Sequence, residues 1–193
     1  MTEKKEKKYK WRREGYKENT KGLLMVTTGD GKGKTTCALG LMMRAAGRGM
    51  NCCMVQFMKS KTDRYGEHES AELLGIEIHT MGDGFTWDTK DTAQDIKTSE
   101  ETWELCRQKM QSEEYDLLVF DELVYVLDYK FLDLQKVLDE IKFVREKQPH
   151  LHIVVTGRNA PPELIEIADL VTEMKEIKHP FHAGIFAQQG IEF

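Results

Sequence analysis

The residues best suited to chemistry in this 193-residue chain lie in one glycine-rich stretch, Gly29-Asp30-Gly31-Lys32-Gly33-Lys34-Thr35-Thr36. An apolar run, Leu23 to Val26, precedes it, and helix-forming residues follow it. Glycines let backbone N–H groups converge on a phosphate, and a helix start adds the positive end of its dipole. Lys34 supplies a mobile cation and Thr35 a hydroxyl for magnesium. This is a P-loop in outline, but a tightened one: the residue five before Gly33 is Thr28, so the first glycine comes one position late for G-x-x-x-x-G-K-[ST]. The stretch predicts nucleoside triphosphate binding, against the plainer alternative of a turn that merely caps a helix.

Three further groups could share that site. The apolar run Tyr115 to Phe120 ends abruptly in Asp121-Glu122, as a strand carrying the magnesium-holding carboxylate of a P-loop protein does. Successive strand residues point to opposite faces, so one of the two should face the metal while the other turns away. Glu122 is favoured for the direct role; the alternative is a plain N-cap for the segment beginning at Leu123. Arg158 follows a strand and Gly157 and could reach a phosphate across the pocket, or form a surface salt bridge. Phe85 and Trp87, two apart in a glycine-broken loop, form either an aromatic platform or a hydrophobic plug. The six histidines show no helical pairing with a carboxylate, so no structural metal is expected.

Strands and helices must alternate to bring these groups together. Helices are predicted over 35–46, 66–74, 91–112 and 132–146, the last with an apolar stripe at Leu134, Val137, Leu138, Ile141 and Val144. Strands are predicted over 51–57, 76–79, 115–120, 151–156 and 170–174, with a polar loop over 59–65. The alternation predicts an α/β fold, a mostly parallel central sheet flanked by helices on both faces, as in RecA-like P-loop proteins. Ligands of such sheets bind beyond the carboxyl ends of the strands. The P-loop, Asp121-Glu122, Phe85/Trp87 and Arg158 all follow such ends, so all four should gather on one edge.

Composition sets the remaining bounds. At 193 residues, 40% hydrophobic and 32% charged, the chain is an ordinary globular domain. Its formal charge of -5 argues against bulk nucleic-acid binding. Residues 1–22 hold nine Lys or Arg against four Glu, a net +5, leaving -10 for the rest. Residues 1–21 therefore read as a basic N-terminal arm, either helical or disordered, and 22–193 as the P-loop domain. No apolar signal segment follows the N-terminal lysines and no run approaches a membrane span, so a cytoplasmic protein with four reduced cysteines is expected.

TTGDGKGKTT, VQFMK, GFTW, LLVFDEL, VVTGR, KHPFHAGI and AQQGIEF occur in that order. With them the chain resembles the ATP:corrinoid adenosyltransferases of cobalamin biosynthesis over residues 22–193. The resemblance implies transfer of the 5′-deoxyadenosyl group of ATP to the Co(I) centre of a reduced corrinoid such as cob(I)alamin, releasing triphosphate. It implies ATP and Mg2+ as co-substrate and cofactor, an electron-donating reductase, and a homodimer in which an N-terminal segment can cover the active site. Gly29 to Thr36 and Arg158 would hold ATP, with Lys34 stabilising the departing triphosphate. Thr35, Glu122 and Asp121 would hold magnesium. Phe85 and Trp87 would sit against the lower face of the corrin and keep its lower axial ligand away, which eases reduction of the cobalt. Two rival classes remain from the residues alone: a phosphoryl-transfer enzyme releasing ADP, and a nucleotide-binding module whose basic arm touches nucleic acid.

Overall fold

The computed structural model describes residues 21–82 and 92–192. The basic arm before Lys21 and the Phe85/Trp87 loop lie outside the described residues.

Six strands form one sheet in the order β3-β2-β4-β5-β1-β6, all parallel. They are β1 (Leu24–Thr28), β2 (Cys52–Ser60), β3 (Glu77–Gly82), β4 (Leu117–Asp121), β5 (His152–Thr156) and β6 (Leu170–Glu173). Between them run α1 (Lys34–Ala46), α2 (Gly66–Leu74), α3 (Thr92–Gln111), α4 (Leu123–Asp128), α5 (Leu134–Lys147) and α6 (Pro162–Ile167), and a 3-10 turn follows β6 at Pro180–Ala183. Parallel pairing demands a crossover between strands, and right-handed crossovers place helices on both faces. The fold is thus the expected α/β sheet, and its pairing is wholly rather than mostly parallel.

Side-chain alternation splits the core in two. One face of the sheet carries Leu24, Val26, Cys53, Val55, Leu118, Phe120, Ile153 and Val155 beneath α3, α4 and α5. The other carries Met25, Cys52, Met54, Leu117, Val119 and Val154 beneath α1 and α2. Central strands buried on both faces explain why β2 and β4 read as continuous apolar runs. Burying each large side chain such as Phe120 or Leu118 contributes roughly 1.5–3 kcal/mol. The α5 stripe falls as expected, with Val137, Leu138, Ile141 and Val144 buried and the helix starting late because Asp133 caps it, accepting from the Lys136 N–H.

One boundary differs in a way that matters for the site. β2 does not stop at Phe57 but runs on to Ser60, so Lys59 belongs to a strand rather than to a polar loop. The extension follows from Gly82 at the end of β3. A Cβ there would lie 2.5 Å from the Lys59 carbonyl oxygen and 2.6 Å from that of Phe57, so only glycine lets the two strand ends close. Lys59 is thereby carried to the carboxyl edge.

Candidate functional site

At the carboxyl edge the apolar sheet gives way to a polar row. Thr80 of β3 and Asp121 of β4 are both register partners of Gln56 in β2, and Thr156 of β5 and Thr172 of β6 are both partners of Thr27 in β1. Thr27, Gln56, Asp121 and Thr156 are all buried. Buried polar groups must be bonded, and Gln56 and Thr156 are bonded to Asp121. Asp121 accepts from the hydroxyls of Thr35 (2.9 Å) and Thr156 (2.7 Å) at Oδ1, and from the Gln56 amide (3.3 Å) at Oδ2. The row lies on the α1 side of the sheet, which is how the first turn of that helix reaches it.

The P-loop lies between β1 and α1. Gly33 takes a left-handed φ of 107° before the helix, whose first turn holds no acidic residue, leaving the dipole end open to an anion. The Lys34 ammonium donates to the carbonyls of Gly29 (2.7 Å) and Gly31 (2.8 Å). The loop is backed from outside by the segment after β6. The Gly31 N–H donates to the Met174 carbonyl (2.7 Å), and a Cβ on Gly29 would lie 2.5 Å from that same oxygen. Glu192 pairs with Lys32 at 2.6 Å, so the segment that ends in Glu192 folds back onto the loop. Asp30 and Thr36 are exposed on it.

Strand alternation ends at Asp121, because Glu122 adopts a left-handed backbone with φ 64°. The expectation that one of the two carboxylates turns away therefore fails. Lys34 feels the charge of both, and the charge of Asp121 opposes ionisation of Glu122. Glu122 does occupy the N-cap position of α4, but its side chain caps nothing. Its Oε2 is buried with no hydrogen-bond partner, alone in this among the side-chain atoms of the described residues. Burial, and after it the charge of Asp121, pushes the Glu122 carboxyl up to about 7, while burial raises Asp121. Burial and then Arg158 lower Lys34. Arg158 is exposed at the end of β5, close enough for its charge to act on Lys34 and Glu122.

Of the expected landmarks, the P-loop, Asp121-Glu122 and Arg158 do gather on one edge; Phe85 and Trp87 lie outside the described residues. Sequence reasoning missed Gln56, Thr156, Lys59 and Glu192 as parts of this edge. One signal was present: a glutamine inside the apolar strand NCCMVQF must find a buried partner.

Two cations, an open helix N-terminus and an acidic pair with an unpartnered oxygen define the P-loop nucleotide-binding class of α/β proteins. The fold is like that of the flagellar accessory protein FlaH from Methanocaldococcus jannaschii, with a TM-score of 0.53 over 80% of this chain and 71% of that one, at 11% identity. The chain belongs to the ATP:corrinoid adenosyltransferase family (BtuR/CobO/CobP), whose sequence profile matches residues 20–193. Corrinoid adenosyltransferases from Sinorhizobium sp and Pseudomonas aeruginosa are 44% and 43% identical to it, over 92% and 90% of this chain and 83% and 84% of theirs. One from Escherichia coli K12 is 36% identical over 91% of this chain and 88% of its own length.

Proposed function

We propose that the carboxyl edge binds ATP with its triphosphate in the loop from Gly29 to Thr36, and that Thr35, Asp121 and Glu122 hold a magnesium ion beside it. The observation that carries the reading is the buried, unpartnered Glu122 Oε2, set beside Asp121 and Lys34. An all-oxygen donor set of two carboxylates and a hydroxyl fits a hard divalent cation. When bound, that ion supplies neutralising charge to the polyphosphate.

As an ATP:corrinoid adenosyltransferase, the enzyme joins the 5′ carbon of ATP to the cobalt of a reduced corrinoid. The electron pair of Co(I) forms the Co–C bond, the C5′–O bond breaks, and its electrons leave with the triphosphate. The side chains provide no nucleophile. Their work is to hold a leaving group whose negative charge grows as the bond breaks. Lys34 is suited to it: burial and Arg158 make its proton costly, a cost that a polyanion removes. Arg158 adds a second fixed cation from the nucleotide's far side. Phe85 and Trp87 take the corrin's lower face, a homodimer forms, and a separate reductase delivers the electron. Four free cysteines and no helix among the described residues long and apolar enough to cross a membrane support work in the cytoplasm.

The test mixes the protein with MgATP and a chemically reduced corrinoid, following the visible spectrum for a light-sensitive cobalt–carbon bond while assaying triphosphate. Adenosylated corrinoid and triphosphate in equal amounts are expected. ADP and phosphate without any change in the corrinoid would overturn the reading. Trp87→Ala should leave ATP binding nearly intact and weaken the corrinoid step; loss of folding instead would make that ring a plug.

A further inference from the structure

The polar row at the carboxyl edge does not end at Asp121. Gln56 is fully buried and uses both ends of its amide. Its Nε2 donates to Asp121, while its Oε1 accepts from the Thr80 hydroxyl at 2.9 Å and faces His68 Nε2 at 3.2 Å. His68, on α2, also lies 2.8 Å from the Thr80 hydroxyl through the same ring nitrogen.

The direction of this chain is fixed by chemistry. The Tyr65 backbone N–H points at His68 Nδ1 at 2.9 Å, and an amide N–H can only donate. Nδ1 is therefore the acceptor, and in the neutral ring the hydrogen sits on Nε2. From there the sequence runs one way: His68 to Thr80, Thr80 to Gln56, Gln56 to Asp121. Flipping the Gln56 amide would set its oxygen against a carboxylate and its NH2 against two donors, so partners at both ends fix which end faces Asp121. The Gln56 amide also supports Glu67, which is paired with Lys59.

We propose that His68 is a positioning residue: through Thr80 and Gln56 it holds the Asp121 carboxylate, and so the metal and Thr35, in the orientation that takes MgATP. This rests on the reading of Asp121 as a magnesium-holding group. His68 touches neither substrate nor metal. It also ties that group to β3, the strand that leads into residues 83–91. Partners behind a metal-holding group typically cost about 10–100-fold in metal affinity when removed.

His68 has a second, purely structural job, the bond from Tyr65 at the start of α2, and the two jobs can be separated. In His68→Asn the amide oxygen takes the place of Nδ1 and the Nε2 donor is lost. In His68→Gln the amide nitrogen reaches the place of Nε2. The readout needs no turnover: it is the factor by which Mg2+ tightens ATP binding to the full chain, from calorimetric titrations with and without Mg2+. His68→Asn should reduce that factor about tenfold, leaving the metal-free ATP affinity and Tm as in the wild type, and His68→Gln should restore most of it. Thr80→Val, which removes one hydroxyl in place, should match His68→Asn, and the double variant should lose no more than either single one, because both cut the same chain. It also carries the test if His68→Asn does not fold.

An unchanged Mg2+ factor in His68→Asn and Thr80→Val, with Asp121→Asn lowering it, would overturn the proposal alone. Losses that add in the double variant would also overturn it. A wild-type protein whose ATP affinity ignores Mg2+ would instead sink the metal reading of Asp121 and take this inference with it.

Discussion

Two clusters of charged side chains lie on this sheet, and their ionisation shifts run in opposite directions. At the carboxyl edge both carboxylates, Asp121 and Glu122, are raised and the lysine, Lys34, is lowered. At the opposite end of β3, burial pushes the Glu77 carboxyl up, but hydrogen bonds from Lys109, Tyr115 and His79 outweigh it and bring it down to about 2. Lys109 is in turn raised, Glu77 and Tyr115 outweighing its burial. The ligand atoms of Cys53, Glu77 and His79 lie within 4.8 Å of one another, which suggests a metal on spacing alone. Lys109, 2.7 Å from Glu77, already supplies the cation, and burial with Glu77 nearby pushes the Cys53 thiol to about 12. The contrast separates a site from a staple. Groups that complete one another in the folded chain shift toward their charged forms, and groups that await an outside partner shift away from them.

The largest expected effect tests the awaiting side. Lys34→Ala should lower kcat by about 10²–10³-fold, while Tm does not fall, since the ammonium is bonded only to loop carbonyls. A triphosphate-release assay and a melting curve check both halves. Next, Asp121→Asn should lower kcat/KM by roughly 10²-fold at fixed Mg2+, again without loss of Tm, because removing a buried charge that only neutral groups hydrogen-bond relieves desolvation. A marked fall in Tm for either variant would make these groups structural as well.

How much of this was legible in the letters depends on whether the signal was local. The P-loop, the β4 run ending in two carboxylates and the α5 stripe each carry their meaning within about a dozen residues, and each folds as its pattern dictates. The Gln56–Asp121 bond joins residues 65 apart, and Lys32–Glu192 joins residues at opposite ends of the domain. Register between parallel strands decides the first, and the path of the chain after β6 decides the second; a single sequence states neither. The reach of β2 to Lys59 was hidden for a related reason: it depends on a glycine in a different strand. The acidic pair misled in one respect only, because alternation was extended one residue past the strand, onto a left-handed Glu122.

The staple side predicts the reverse pattern. Glu77→Gln should leave adenosyl transfer unchanged and lower Tm by about 2–4 °C, corresponding to about 1 kcal/mol once its 38% exposure is allowed for. Its pH dependence follows from the lowered carboxyl. The unfolded chain protonates near ~4.3 and the folded one near about 2. The stabilisation is therefore fully present above the unfolded value and disappears as pH falls toward the folded one. Urea titrations of wild type and Glu77→Gln should differ at neutral pH and converge as the pH is lowered. A gap that persists at pH ~2 would mean that Glu77 acts through packing rather than charge.

The smallest effect falls on a pair that sits at the functional edge yet is complete by itself. Lys32 and Glu192 are 47% and 17% exposed and meet at 2.6 Å. A partly exposed ion pair of this kind contributes about 0.2–1 kcal/mol. Glu192→Gln should thus raise the KM for ATP by no more than about fivefold, with the difference from wild type shrinking as salt is added, because screening weakens the pair that remains in the wild type. A loss as large as that of Lys34→Ala would mean that the chain end belongs to the triphosphate machinery itself. In that case being satisfied within the fold would no longer distinguish a staple from a site; location alone would.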